Sequence, residues 1–152
     1  MKRRFQGGET YWTSNGSAFA GLKENIKNKI SNLTVFYQHS LPEYNEAPPV
    51  KHPLIITQPG TGAKSLYFSQ AHAICISSLS KTEGNNLLMY LTAHMTTAKY
   101  VFQHQWQPGD LVMWDNRYTM HKRNSLTDSV NRLMKRTIAV SYSNDPKKYQ
   151  RR

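Results

Sequence analysis

WQPGDLVMWDNRYTMH, residues 106–121, is the stretch on which the fold turns. Pro108–Gly109 marks a tight turn, and the apolar run that follows, Leu111-Val112-Met113-Trp114, predicts a short strand over residues 110–114. That strand would carry Trp114, Asp115 and Asn116 to its end, with His121 a few residues beyond. A histidine beside a strand end, in the mouth of a barrel, is where a metal ligand or an acid–base group would sit. A lone histidine is more often structural, and the spacing by itself does not choose.

Outward from this stretch, the pattern is mostly β. Residues 33–38, 52–57, 65–68, 100–106 and 133–142 predict strands, with 65–68 folding back on 52–57 across the turn at 59–62. Residues 41–51, with Pro42, Pro48 and Pro49, predict a loop, and 71–76 is too short to assign. Phe19, Leu22, Ile26 and Ile30 recur at helical spacing and predict a helix over 14–31, capped by Ser14 or Asn15 with Lys23, Lys27, Asn28 and Lys29 in water. Leu87, Leu88, Leu91 and Met95 predict a second helix over 83–95. Neither linker nor repeat interrupts residues 1–152, so one mainly β domain with a few helices is expected, a sandwich or barrel.

The 152 residues hold 20 Lys and Arg against 9 Asp and Glu, a net charge of +11, and 38% are hydrophobic. That suffices for a core, while no apolar run approaches the roughly 20 residues of a membrane span. The opening MKRRFQGGETYW has no apolar stretch of a secretory signal, which points to the cytoplasm. The single cysteine, Cys75, excludes an internal disulfide and is expected as a small core residue. Nucleic acid is an unfavoured partner, because no zinc-finger spacing or RNA-binding signature accompanies the charge. Residues 144–152 read as a frayed basic tail.

On a strand, Arg132, Met134 and Arg136 would share one face. Two inward arginines leave uncompensated charge unless an anion joins them, so this face is either exposed or holds an anionic ligand. Gly7-Gly8-Glu9-Thr10 offers a tight turn and a hydroxyl able to donate to a carboxylate, without the spacing of a phosphate loop. Asp115 lies near His121 in sequence, but no nucleophile elbow or Ser–His–Asp order accompanies it.

Taken together, GGETYW, HPLIITQPGTGAKSLYF and WQPGDLVMWDNRYTMH…RLMKR resemble, in that order, the taurine and alkylsulfonate (TauD/TfdA-like) family of Fe(II)- and 2-oxoglutarate-dependent dioxygenases. The resemblance runs from about Gly7 to Tyr142. It implies a double-stranded β-helix, or jelly-roll, with iron at one mouth. By that resemblance His121 matches an iron-binding histidine, Arg132 the arginine that grips the far carboxylate of 2-oxoglutarate, and Thr10 the threonine that assists it. Arg136 matches an arginine that meets an anionic substrate. The implied reaction oxidises a small anionic organic substrate with O2, releasing succinate and CO2.

One departure bears on the chemistry. The family's remaining iron ligands come from a His-x-Asp or His-x-Glu pair upstream of the glycines. The residue two places after each of the six histidines is Leu41, Leu54, Ile74, Thr96, Trp106 or Arg123, and none is acidic. The chain therefore resembles the C-terminal portion of the family fold, and it is expected to be inactive alone, with doubtful iron binding. Bare apolar edges are expected, covered by self-association or by a chain carrying the missing half. The alternative is a non-enzymatic remnant that binds a dicarboxylate or a partner chain.

Overall fold

The structure, a computed structural model, describes residues 7–38, 48–125 and 133–139. The elements run β1 (Thr10–Ser14), α1 (Asn15–Ala20), α2 (Glu24–Ile30), β2 (Thr34–Tyr37), β3 (Val50–Pro53), β4 (Ile55–Thr57), β5 (Lys64–Leu66), β6 (Ala73–Ile76), α3 (Lys81–Met95), β7 (Val101–His104) and β8 (Thr119–Arg123). The strands form two three-stranded antiparallel sheets, ordered β7-β1-β8 and β3-β2-β6, and a hairpin of β4 with β5.

The helix expected over 14–31 is two helices. Ser14 caps the first, its Oγ accepting from the Ser17 amide. The break falls at Gly21, where the Tyr100 ring occupies the space a side chain would need: an added Cβ would collide with Tyr100 Oη and lie 2.9 Å from its Cζ. Lys23 then starts the second helix in an extended conformation. The strand expected over 52–57 is also divided. Leu54 donates its N–H to the Leu33 carbonyl at 2.9 Å, and its own carbonyl accepts from the Tyr67 amide at 2.8 Å. The chain thus passes at Leu54 from one sheet to the hairpin, whose register, Ile55 opposite Leu66, matches the expected fold-back.

Helix α3 begins at Lys81 because Ser80 and Glu83 form a reciprocal capping box. It lays Leu87, Leu88, Leu91 and Met95 onto a core completed by Ala18, Leu22, Ile30, Val35, Leu54, Leu66, Phe68, Ile76 and Tyr100.

Three expectations fail here. Cys75 is exposed, not core. It lies on edge strand β6 next to buried Ile76, and alternation turns its side chain away from the core. Residues 110–114 are not a strand, and neither are 133–139; the remainder of the strand expected over 133–142 lies outside the described residues. An apolar run makes a strand only when a neighbour takes its backbone hydrogen bonds, and none does so among the described residues. Leu111 and Met113 are 91% and 89% exposed, while Val112 and Trp114, alternating with them, are half-buried. Strands β1 and β8, which the sequence pattern did not single out, are held by each other, with Trp12 opposite His121 and Thr10 opposite Arg123. The basic tail at 144–152 and much of the loop at 41–51 lie outside the described residues.

Candidate functional site

The β7-β1-β8 sheet gathers two of the four side chains the sequence singled out, Thr10 and His121. Directly opposed residues of an antiparallel pair project to the same face. Thr10 lies opposite His104 and Arg123, and Trp12 opposite Phe102 and His121, so all six share one face of the sheet. Thr10 and His121 are diagonal neighbours on that face, although they lie 111 positions apart in the chain. Met120 projects to the other face and packs on the core.

Aromatic rings floor the site. Trp12, 6% exposed, lies 5.3 Å from the Trp114 ring in an edge-on contact and 6.4 Å from Trp106. Trp114 meets His121 edge-on at 5.3 Å. Thr10 is 7% exposed, and its Oγ1 accepts a hydrogen bond from Trp106 Nε1 at 2.8 Å. Next to these rings, His104 Nε2 is 2.9 Å from Asp110 Oδ2. Trp12 Nε1 is buried with no hydrogen-bond partner among the described residues.

His121 is depressed below the ordinary histidine value, first by the partial desolvation of its ring, which stands edge-on to Trp114 although the residue as a whole is exposed, and then by the positive charge of Arg136. Both causes keep the imidazole neutral near pH 7, the form with a lone pair to offer a metal. Arg136 is exposed, yet its charge is felt at His121. Asp115 does not join the site: its carboxylate is held by Arg117 at 2.9 Å, which also lowers its pKa. Arg132 lies outside the described residues. Among the described residues, no group of three or more His, Cys, Asp or Glu is placed to hold a metal ion. Nor, among them, is any helix long and apolar enough to cross a membrane.

A proton titration follows from these placements. The His121 ring signal in NMR should titrate below pH 6.5, and Arg136→Gln should move its midpoint upward. Because the folded value is the lower one, acidification below about pH 6.5 protonates the unfolded chain first, so His121 withdraws stability as the pH falls. An unchanged midpoint in Arg136→Gln would remove Arg136 as a source of the field.

Over residues 2–138 the sequence matches the family described as "Taurine catabolism dioxygenase TauD, TfdA family". The chain belongs to the TauD/TfdA family. It is 34% identical over 146 residues to the alpha-ketoglutarate-dependent 2,4-dichlorophenoxyacetate dioxygenase of Burkholderia sp. (strain RASC), covering 88% of this chain and 49% of that protein. The crystal structure of AAD-2 in complex with Mn(II) and N-oxalylglycine superposes with a TM-score of 0.78 at 33% identity, covering 88% of this chain and 58% of that one. A taurine dioxygenase from Burkholderia xenovorans gives a TM-score of 0.71 at 28% identity, over 78% and 41% of the two chains. This TauD/TfdA-family chain thus spans about half the length of the curated relatives it matches. Its mainly β fold is theirs, which accounts for the distant strands that bring Thr10 and His121 together.

The Thr10–Trp106 hydrogen bond was not legible in the sequence. It spans 96 positions, and nothing in the local pattern around Trp106 distinguishes a floor residue from a core one.

Proposed function

We propose that this chain is the C-terminal part of an Fe(II)- and 2-oxoglutarate-dependent dioxygenase that oxidises a small anionic organic substrate with O2, releasing succinate and CO2. The observation that carries the reading is the shared face of Thr10 and His121 on a sheet whose chain matches the family over residues 2–138. Relatives are named for 2,4-dichlorophenoxyacetate, phenoxypropionate and sulfonate, each an organic anion, and a chain of net charge +11 suits one.

The roles are those the family resemblance implies, and the residue types suit them. Arg132 offers a planar fork to the far carboxylate of 2-oxoglutarate, and Thr10 donates its hydroxyl to the same group. Arg136 faces the anionic group of the substrate, and His121 presents a neutral imidazole to a metal. Trp12, Trp106 and Trp114 keep water from the floor, which strengthens each of these contacts.

The residues present suit the 2-oxo acid better than the iron. A buried hydroxyl beside positive charge fits a carboxylate, whereas Fe(II) in this family needs a second histidine and a carboxylate. No His-x-Asp or His-x-Glu pair occurs in these 152 residues. When bound, iron would supply oxygen activation. A second reading, in which the chain works only beside another polypeptide segment, draws on Leu111 and Met113, 91% and 89% exposed on a run that has no strand partner among the described residues. In both readings the 152-residue chain is inactive alone and seats a dicarboxylate.

Mixing the purified chain with Fe(II), 2-oxoglutarate and oxygen should release no succinate, while calorimetry shows saturable 2-oxoglutarate binding. Sustained succinate release would overturn the incomplete iron site, and absent binding would overturn the cosubstrate seat.

A further inference from the structure

Thr10 Oγ1 has two lone pairs and one proton to place. Its one hydrogen bond among the described residues is the bond it accepts from Trp106 Nε1 at 2.8 Å. An indole N–H is a donor and never an acceptor, so the polarity of this contact is fixed. One lone pair of Thr10 is therefore turned toward Trp106, and the hydroxyl proton must point elsewhere. Thr10 is 7% exposed, so bulk water does little to satisfy that proton. Across the face stands Arg123, directly opposite Thr10, whose charge favours an anion on this side.

Trp106 itself is clamped. Its ring meets His104 edge-on at 4.8 Å with an interplanar angle of 89°, and leans on Trp12 at 6.4 Å. His104 is held in turn by Asp110 at 2.9 Å. A donor fixed on both sides fixes the acceptor it addresses.

We propose that Trp106 is a positioning residue for dicarboxylate binding: by occupying one lone pair of Thr10, it commits the threonine hydroxyl to donate its proton to the bound carboxylate. This rests on the 2-oxoglutarate reading given above and adds to it a residue that acts through Thr10. Accepting a hydrogen bond also polarises the hydroxyl, which makes it the better donor. Without the indole, the hydroxyl turns freely between donating and accepting, and an acceptor lone pair facing a carboxylate repels it.

The test is a double-substitution cycle read by calorimetry with 2-oxoglutarate on the full chain. Trp106→Phe keeps an aromatic ring and removes the donor; Thr10→Val removes the hydroxyl at nearly constant volume. Each is expected to weaken binding roughly three- to tenfold. The pair together should bind no more weakly than Thr10→Val alone, because Trp106 acts through that hydroxyl. Thr10→Ser should retain the sensitivity to Trp106→Phe. Wild-type binding with unchanged affinity in Trp106→Phe, or losses that multiply in the double variant, overturns this inference and leaves the cosubstrate seat standing. Absent binding in the unaltered chain overturns both. A second readout does not depend on the Trp106 variant folding. In a chain with 15N-labelled indoles, the Trp106 N–H signal should shift in Thr10→Val and again when 2-oxoglutarate is added to the unaltered chain. A Trp106 signal unmoved by Thr10→Val overturns the hydrogen bond itself.

Discussion

Replacing Arg132 by alanine should weaken 2-oxoglutarate binding by about a hundredfold or more. A guanidinium fork gives a carboxylate two parallel charge-assisted hydrogen bonds, each worth about 1.5–3 kcal/mol. Losing both removes about 3 kcal/mol at the least, and each 1.4 kcal/mol is a factor of ten in affinity. Arg132→Lys restores the charge but not the fork, so it should recover only part of the loss. Lys135→Ala, which removes a neighbouring charge of the same sign, should change affinity little, because general attraction between exposed charges is screened by salt. Calorimetry on the three variants decides the matter. Equal affinities for wild type and Arg132→Ala would take the far carboxylate away from Arg132 and with it the main anchor of the proposed cosubstrate.

Truncating Leu91 to alanine should cost about 3–4 kcal/mol of stability. The side chain is fully buried at 0% exposure, midway along α3, in the cluster that also holds Ile30, Val35 and Leu66. Removing it forfeits the transfer free energy of three carbons and leaves a cavity that close-packed neighbours fill only in part. A small domain has only about 5–15 kcal/mol to lose, so much of the variant's margin would go. Met89, two residues away, is 59% exposed, and Met89→Ala should stay within about 0.5 kcal/mol of wild type. Urea unfolding gives both numbers, and a Leu91→Ala midpoint indistinguishable from that of Met89→Ala would displace α3 from the core.

Parts of the architecture follow from local pattern. Leu87, Leu88, Leu91 and Met95 announce the face of α3, and the turn at 59–62 announces the hairpin, because periodicity and turn chemistry act over a few residues. The apolar run at 110–114 shows the limit. Its four apolar residues carry strand propensity, yet a strand needs a partner for its amides, and no pattern inside the run says whether one exists. Cys75 shows the same limit from the other side: its residue type favours burial, but its direction is set by the pleat of an edge strand whose core-facing member is Ile76.

What the amino-acid order settles alone is the family, the charge, the helix faces and the lack of a His-x-acid pair, since each is a property of residue type and spacing. Which groups meet is decided only in three dimensions. Thr10, Trp106 and His121 lie on three different strands or their extensions, and antiparallel pairing across about a hundred residues sets them on one face. Register does this, and register belongs to the assembled sheet: a shift of a single residue would send Thr10 and His121 to opposite sides.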